Sequence, residues 1–374
     1  MSKLIFNFLT GSLALRSYKT GVHVVHDNLL KELEEHNYME CNAKISCYCT
    51  KNEMEQEYPQ YRKEKYSEKI IFSHKYVKFL MYFIPVEIFF GKSDIYFCDG
   101  IIPLTLHKSK KVAIIHDLMV MKYPENYKLI KKLYLKYFYN RCKKVDLIVT
   151  VSESTKKDVI QYLGIDRDKI KVVNCGIDTN KIKKTNMIEK TGNKIDFCEK
   201  YLLYIGDMRK NKNLINAIKG FECAKSKDDK LKFYIAGAKK FEYDKLKKYV
   251  SEHKLEKDVI FLGYVSDEEK EQLYSFAFAL LFVSEYEGFG IPILEGAAYG
   301  TPVITSNTSS MNEIAEGYCL TVNPYKKEAI GNEILKLNNA ELRKKVIERQ
   351  NKLLLKYTWD NSYKQLEEAL KPIM

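Results

Sequence analysis

Ser284-Glu285-Tyr286-Glu287-Gly288-Phe289-Gly290-Ile291-Pro292-Ile293-Leu294-Glu295 joins an apolar run to a segment with helical character. The apolar run, 278–283, is typical of a buried parallel strand. Pro292 suits the first position of a helix, and Gly288 and Gly290 allow backbone N–H groups to come close to a ligand. The start of a helix behind such a loop is a ready site for a phosphate or a sugar oxygen.

Two carboxylates stand in this stretch, Glu287 in the loop and Glu295 in the first turn of the helix. With the glycines, the proline and the flanking strands, the pattern resembles the signature of retaining GT-B glycosyltransferases of the family-4 type, the glycosyltransferase group 1 family. The resemblance implies that Glu295 holds the nucleotide ribose. It also implies that Glu287 and the backbone of Gly288, Phe289 and Gly290 face the donor sugar and phosphate.

The resemblance further implies an α/β fold of GT-B type, in which two Rossmann-like domains face each other across a cleft. A C-terminal helix is expected to cross back to the N-terminal domain. The predicted divisions are an acceptor-side domain at 1–180, a linker at 181–199, a nucleotide-sugar-binding domain at 200–355 and the terminal helix at 356–374. The linker is predicted from a polar, lysine-rich composition without periodicity.

An alternation of short apolar strands with helical segments independently favours parallel α/β sheets. The pattern predicts strands at 4–9, 45–49, 95–98, 112–116, 147–151, 170–173, 201–205, 231–236, 259–262, 278–283, 303–305 and 320–322. It predicts helices at 22–36, 76–90, 127–142, 153–163 and 361–370. Ser152 is predicted to cap the helix that starts at Glu153, and Ser266 with Glu269 to form a capping box.

Length and composition agree with this picture. A chain of 374 residues exceeds the usual size of one hydrophobic core, and 45% hydrophobic residues suffice for two cores. Nine cysteines without a Cys-x-x-Cys pair suit a reducing compartment better than a disulfide framework. With neither a signal peptide nor a spanning segment evident, we expect a cytoplasmic protein.

Positive charge is concentrated in the first half of the chain. The net charge is +13, and residues 1–198 carry 34 Lys and Arg against 23 Asp and Glu. Residues 106–144 alone hold 11 basic and 2 acidic residues. Such a patch suits an anionic membrane surface, at the inner face of the cell membrane, or a phosphorylated substrate. A solvated basic face is the open alternative, and nucleic acid is disfavoured because the chain has neither a basic recognition helix nor an RNA-binding motif.

Two motifs of the first half resemble family elements that contact the donor. Thr20-Gly21-Val22-His23 matches the element whose loop approaches the donor phosphate, so Gly21 is predicted to bind the donor. His116-Asp117-Leu118 ends a strand at the edge where ligands bind in open sheets. In the family this histidine points at the donor sugar, so His116 is a predicted catalytic residue and Asp117 a predicted donor-binding residue.

The turn Gly206-Asp207-Met208-Arg209-Lys210-Asn211-Lys212 follows the first predicted strand of the second domain. The family places a lysine six residues after this glycine, together with an arginine, and both neutralise the leaving diphosphate. Gly206 is therefore predicted to bind the donor, and Lys212 and Arg209 to be catalytic. Many members have an arginine directly after the glycine, where this chain has Asp207.

The implied reaction moves a hexose-type sugar from a nucleotide diphosphate to a hydroxyl of a glycan or lipid-linked acceptor, with retention of configuration. The family setting implied is bacterial cell-surface polysaccharide synthesis. The departing phosphate can accept the proton of the acceptor, so Glu287 is a predicted catalytic residue that orients sugar hydroxyls and does not act as a nucleophile. Neither a metal nor another cofactor is expected, and the only Asp-x-Asp, at Asp166, falls in a predicted surface turn.

Two other interpretations of the sequence stay open. One is a non-catalytic GT-B protein that binds a nucleotide sugar, and the other is a sugar-nucleotide epimerase of the same architecture. Epimerases of that kind lack the Glu-Gly-Phe-Gly loop with its second glutamate. A dinucleotide-dependent oxidoreductase is weaker, because no strand is followed by Gly-x-Gly-x-x-Gly.

Overall fold

The computed structural model describes residues 5–10, 25, 28–29, 32, 42–47, 83–99, 102–179, 195–239 and 241–374. These residues contain two six-stranded sheets whose paired strands are all parallel. The predicted α/β fold class is confirmed. Gly21 and positions 181–194 of the predicted linker lie outside the described residues.

The first sheet has the strand order β2-β1-β3-β4-β5-β6 and the second β12-β11-β10-β7-β8-β9. Strands β1–β6 span Ile5–Thr10, Asn42–Cys47, Ile95–Asp99, Lys110–Ile115, Leu147–Thr150 and Ile170–Val172. Strands β7–β12 span Tyr201–Ile205, Lys232–Ala236, Val259–Gly263, Ala279–Phe282, Val303–Ser306 and Leu320–Val322. All twelve were predicted, with ends that differ by at most three residues.

Helices cover the connections between the strands. Within the described residues, α1–α12 span Glu87–Phe90, Met119–Lys122, Leu129–Cys142, Glu153–Leu163, Leu214–Lys225, Tyr243–Glu252, Asp267–Phe276, Ile291–Ala298, Ser309–Ala315, Lys327–Lys336, Ala340–Lys356 and Trp359–Leu370. Short 3-10 turns occupy Pro124–Asn126, Arg167–Lys169, Lys210–Lys212 and Lys371–Ile373.

The chain divides into two compact units. The first comprises Met1–Val120, Tyr127–Cys175 and Trp359–Met374, and the second comprises Met121–Asn126 and Gly176–Thr358. Helix α12 is thus part of the first unit. There Gln365 accepts a hydrogen bond from the backbone N–H of Asn174 at 2.7 Å and donates one to its side chain at 3.1 Å.

Apolar strands form the core of each unit. The side chains of β5 and β10 are buried throughout, as expected for parallel strands covered by helices on both faces. Both predicted caps are confirmed: the Ser152 hydroxyl accepts from the N–H of Thr155, and Ser266 and Glu269 bond reciprocally as a capping box.

Two predictions about helices were wrong at prolines. Positions 76–82 of the predicted helix 76–90 lie outside the described residues. Residues 83–86 are not helical, and α1 begins at Glu87, because Pro85 disfavours helical geometry in the residue before it. Pro292 occupies the second position of α8, not the first, because Gly290 caps the helix with a φ of 118° and Ile291 opens it.

Gly237 sets how closely two neighbouring loops of the second unit approach each other. It follows β8, has a φ of +137°, and donates its N–H to the carbonyl of Gly263 at 2.6 Å. A Cβ at this position would stand 1.9 Å from the carbonyl oxygen of Gly206, the residue after β7. The predicted donor-binding turn at Gly206 therefore depends on a glycine that was not singled out in the sequence.

Replacing Gly237 by alanine should destabilise the second unit by at least about 3 kcal/mol, since backbone strain and a backbone clash add together. Gly263→Ala is the matched control: its φ is +78°, but a Cβ there meets nothing within 4 Å. The control should cost only about 1–2 kcal/mol, the strain of a left-handed alanine. Urea unfolding of both variants measures the difference, and equal losses would contradict the close approach.

Candidate functional site

The second sheet reverses its strand order between β7 and β10. Strands β8 and β9 extend to one side of this pair and β11 and β12 to the other. Ligands of open parallel sheets bind at the carboxyl ends of the strands, where the order reverses. The two loops that begin there are the turn that starts at Gly206 and the loop from Val283 to Gly290. These loops carry most of the predicted site.

Two buried asparagines hold these loops together. The side-chain amide of Asn211 donates to the carbonyl of Tyr286 at 3.0 Å, and its backbone carbonyl accepts from the N–H of Glu285 at 2.8 Å. The amide of Asn213 donates to the carbonyls of Val283 at 3.0 Å and Pro324 at 2.8 Å. Neither asparagine was assigned a role from the sequence, because their partners are about 70 or more residues away.

Lys212 and Glu287 form a largely buried ion pair between the two loops. The ammonium contacts Oε1 of Glu287 at 2.7 Å and Oε2 at 2.9 Å, and the two side chains are 17% and 12% exposed. Burial opposes the charge on Lys212, but the carboxylates of Glu287 and Asp207 outweigh it and raise the pKa of Lys212. The structure thus brings together two of the predicted catalytic residues.

Arg209 is paired with Asp207, the residue directly after Gly206. Its Nε lies 2.8 Å from Oδ2 of Asp207. The backbone of Asp207 is fixed as well, because its carbonyl accepts from the buried hydroxyl of Tyr204 at 2.9 Å. Burial raises the pKa of Tyr204 well above its ordinary value, so this hydroxyl stays a donor. Asp207 therefore offsets part of the positive charge that Arg209 brings to the turn.

Hydroxyl groups at the start of α9 fix the backbone of the glutamate loop. Thr308 donates to the carbonyl of Glu285 at 3.3 Å, and Ser309 donates to that of Glu287 at 3.2 Å. The Ser310 hydroxyl shares its one proton between the carbonyls of Glu287 at 2.9 Å and Phe289 at 2.7 Å. These bonds hold alternate carbonyls of the loop, so its peptide groups are set before any ligand binds.

Glu295 lies on α8 and is held by two side chains of α7. Lys270 contacts one carboxylate oxygen at 2.5 Å, and the hydroxyl of Tyr274 donates to the other at 2.8 Å. Burial disfavours the charge on Lys270, but the field of Glu295 prevails and raises the pKa of Lys270. Lys270 and Tyr274 were missed in the sequence, although their spacing of four residues places them on one face of the helix.

Residues Met121–Asn126 pack within the second unit, beside the glutamate loop. The hydroxyl of Tyr123 donates to Glu285 at 2.9 Å, and the ammonium of Lys122 lies 4.2 Å from the centre of the Tyr286 ring. Burial and the carboxylate of Glu285 raise the pKa of Tyr123 far above its ordinary range. Sequence patterns could not indicate these contacts, since the segment lies more than 150 residues before the loop.

The remaining predicted residues of the first half belong to the first unit. His116 and Asp117 follow β4 at the carboxyl edge of the first sheet. The His116 carbonyl accepts from the hydroxyl of Thr155 at 3.3 Å. The Asp117 carboxylate accepts from the N–H of Met119, the first residue of α2, at 2.8 Å.

The described residues contain no group of three or more His, Cys, Asp or Glu side chains able to hold a metal ion. Asp166 accepts from the N–H of Asp168 in an exposed turn that precedes β6. That turn lies at the amino edge of the first sheet, opposite the edge where ligands bind. In the same part of the chain, no helix is both long and apolar enough to cross a membrane.

Two family models match consecutive parts of the chain. Residues 20–181 match glycosyltransferase family 4, and residues 187–353 match glycosyl transferases group 1. The chain is 26% identical over 268 residues to the O-antigen chain mannosyltransferase B of Escherichia coli, a match that covers 70% of each protein. It is 32% identical over 251 residues to the O-antigen chain mannosyltransferase RfbU of Salmonella typhimurium, covering 66% of this chain and 65% of that one.

Solved structures share the fold. A glycosyltransferase from Rickettsia africae superposes with a TM-score of 0.70 at 17% identity, over 99% of this chain and 98% of that one. Anabaena HepE in complex with UDP-glucose gives a TM-score of 0.68 at 16% identity, over 99% of this chain and all of that one. The GT-B assignment is therefore confirmed at the level of the fold.

Replacing Lys212 by methionine should lower the free energy of unfolding by about 2–4 kcal/mol, because it leaves the Glu287 carboxylate buried without its counter-charge. The double variant Lys212→Met, Glu287→Gln should recover at least about 1 kcal/mol of that loss. Folding raises the pKa of Lys212, so the contribution that this ammonium makes to stability is fully present below its ordinary pKa of 10.5 and is lost only as the pH rises above it. Urea unfolding near neutral pH measures both variants.

Lys210→Met is the matched control for this pair. Lys210 also bonds a glutamate, Glu125 at 2.7 Å, but both side chains are about half exposed, 55% and 47%. The control should leave the unfolding midpoint almost unchanged. Single and double variants at the buried pair with the same stability would show that the two charges do not depend on each other.

Proposed function

We propose that this chain, which belongs to the glycosyltransferase group 1 family, transfers a hexose-type sugar from a nucleotide-diphosphate donor to a hydroxyl of a glycan or lipid-linked acceptor. The observation that carries the proposal is the Lys212–Glu287 pair between two loops at the switch point of the second sheet. The relatives that act on O-antigen chains support a role in bacterial cell-surface polysaccharide synthesis. Both matching models are glycosyltransferase models, so the epimerase alternative is not retained.

Lys212 is the proposed partner of the donor diphosphate. Its raised pKa keeps the ammonium charged at neutral pH, and its contacts with both carboxylate oxygens of Glu287 fix it in space. Glu287 balances the charge of Lys212, so a diphosphate that binds there would replace one anionic partner by another. A cation that is already fixed can stabilise the charge that develops on the leaving phosphate without reorganisation. Arg209 is the second proposed cation.

The two glutamates are proposed to bind hydroxyl groups. Glu287, on the loop whose carbonyls are held by the α9 hydroxyls, would orient the donor sugar together with Gly288, Phe289 and Gly290. Glu295 would accept hydrogen bonds from the ribose hydroxyls. Lys270 and Tyr274 hold its two carboxylate oxygens from the other side, which fixes the direction of the remaining lone pairs.

The transfer step is proposed to retain the anomeric configuration and to need neither a metal nor another cofactor. The acceptor hydroxyl would lose its proton to the departing phosphate on the same face of the sugar. Its oxygen would bond to the anomeric carbon as the bond between that carbon and the phosphate oxygen breaks. No protein nucleophile is needed for this exchange. His116 is the residue of the first unit for which we propose a contact with the donor sugar. Asp117, the next residue in the sequence, and Gly21, in the first half of the chain, are proposed donor-binding residues.

One observation favours a second candidate, a protein that binds the nucleotide sugar without turning it over. Asp207 contacts Arg209 and so reduces the positive charge available to the leaving diphosphate. Asp207→Ala distinguishes the two: it should raise kcat in an active enzyme, whereas a protein without catalytic function gains no turnover.

The reaction is proposed to take place in the cytoplasm, at the inner face of the cell membrane.

A panel of UDP-, GDP-, ADP- and CDP-sugars should raise the Tm of the wild type with one base only. A donor at 100 times its Kd stabilises the folded state by about 2.7 kcal/mol, which corresponds to several degrees. Lys212→Ala and Glu295→Ala should each abolish most of that shift. A wild type that responds to none of the donors would contradict the proposed donor class.

The 2′-deoxyribose form of the same nucleotide is the control for the role of Glu295. Wild type and Lys212→Ala should each bind the ribose form more tightly than the deoxy form, whereas Glu295→Ala should lose that preference. A preference that persists in Glu295→Ala would assign the ribose to another residue.

Stereochemistry and metal dependence are tested with the donor that the panel identifies. The anomeric proton of the product, followed by NMR from the first turnovers, should show the same configuration as the donor. EDTA should leave the rate unchanged within about twofold, since Lys212 and Arg209 take the part that a metal has in other transferases. An inverted product, or a rate restored only by added divalent metal, would contradict the proposed step.

A further inference from the structure

Helix α3, Leu129–Cys142, is apolar on two opposite sides, and the fold buries only one of them. Phe138, Tyr139 and Cys142 are buried. On the other side, Leu129, Ile130, Leu133 and Tyr137 are 69%, 83%, 59% and 48% exposed. At 100° per residue these four side chains fall within an arc of about 100°, so they form one continuous apolar stripe.

A row of lysines runs beside this stripe. Lys128, Lys132 and Lys136 follow one another at intervals of four residues, directly next to the row Leu129, Leu133 and Tyr137 at the same interval. Residues 128–144 contain seven Lys and Arg and no Asp or Glu. The exposed side of α3 thus combines large apolar groups with charges that are all positive.

A second exposed apolar cluster lies in the same unit. Phe83, Ile88, Leu104 and Leu106 are 65%, 63%, 40% and 65% exposed. Their two segments are held together, because the N–H of Val86 donates to the carbonyl of Leu104 at 2.8 Å. Eight of the fourteen exposed large hydrophobic residues in the described part of the chain therefore lie between 83 and 137.

Side-chain hydrogen bonds connect this second cluster to α3. Glu87 accepts from the N–H groups of Leu106 and His107 at 3.0 and 3.2 Å. Arg141, four residues after Tyr137 and on the same side of the helix, donates to the carbonyl of Ile102 at 3.5 Å. The segment that carries Leu104 and Leu106 therefore begins beside the last turn of α3.

We propose that the exposed side of α3 binds the surface of an anionic lipid bilayer, with Leu129, Ile130, Leu133 and Tyr137 in the headgroup boundary and the lysine row on the lipid phosphates. Apolar groups next to Lys characterise helices that lie in the membrane interface. The cores of protein–protein interfaces, by contrast, are depleted of Lys, and a nucleic-acid backbone offers no partner for exposed leucine and isoleucine. The inference rests on the proposed function in one respect: a lipid-linked acceptor is presented at such a surface.

Vesicle flotation with the full-length protein tests the proposal. Wild type should bind vesicles with about 30 mol% phosphatidylglycerol at least tenfold more tightly than pure phosphatidylcholine vesicles. Ile130→Glu with Leu133→Glu should weaken binding to the anionic vesicles at least tenfold. Lys128→Gln, Lys132→Gln and Lys136→Gln together should remove the preference for anionic lipid.

Matched controls carry the same changes on exposed residues of the second unit. Phe241→Glu with Leu355→Glu, at sites 65% and 77% exposed, and Lys245→Gln, Lys248→Gln and Lys345→Gln should bind as the wild type does. A wild type that binds neither vesicle, or α3 variants that bind as their controls do, would overturn the proposal. Binding that needs the lysines but not the leucine and isoleucine would overturn insertion of the apolar stripe.

Two further measurements distinguish loss of membrane binding from misfolding and from self-association. The donor-induced rise in Tm should persist in the α3 variants, because they fold and their donor site in the second unit is intact. Size-exclusion chromatography without lipid should give the same elution volume for wild type and the Ile130→Glu, Leu133→Glu variant. A wild-type oligomer that this variant dissociates would assign the stripe to a second copy of the chain and overturn the proposal.

Discussion

The parallel pairing of β7 with β10 is the constraint on which the candidate site depends. Leu202 and Leu203 lie in register with Ala279 and Leu280, so the two strands end side by side although they are far apart in sequence. The loops that leave them must therefore meet, and the amide of Asn211 together with Asn213 fixes how they meet. The Lys212–Glu287 ion pair follows from that geometry, because each partner is anchored by its own loop.

Each proposed ligand-binding charge of the second unit already has a counter-charge. Lys212 contacts Glu287, Glu295 contacts Lys270, and Arg209 contacts Asp207. These three ion pairs balance the charges of the site, which limits the cost of burying them. Because of this balance, donor binding exchanges one set of partners for another. Each cation would turn from its carboxylate to the phosphates. The affinity for a diphosphate therefore depends on the hydrogen bonds that each carboxylate forms in return with the sugar or ribose hydroxyls.

Local sequence predicted the elements of the fold better than their arrangement. The twelve strands, the Ser152 cap and the Ser266–Glu269 capping box are set by residues a few positions apart, and all were found. Strand order is set by contacts between distant segments, and a hydrophobic pattern contains no such information. The same limit applies to the site. Glu287, Glu295 and Lys212 stand in short motifs, whereas Asn211, Asn213, Lys270 and Ser310 matter through partners at least 20 residues away.

Helix α3 is a second example of what local sequence does not determine. Its apolar residues point in all directions, so the sequence does not distinguish the side that packs in the core from the side that does not. Only the fold, which buries Phe138, Tyr139 and Cys142, identifies Leu129, Ile130 and Leu133 as a second apolar side. Exposure of that much apolar surface disfavours a helix that faces water alone. The lysine row beside the apolar row then favours one class of hydrophobic partner. An anionic bilayer offers acyl chains to the apolar row and phosphates to the lysines.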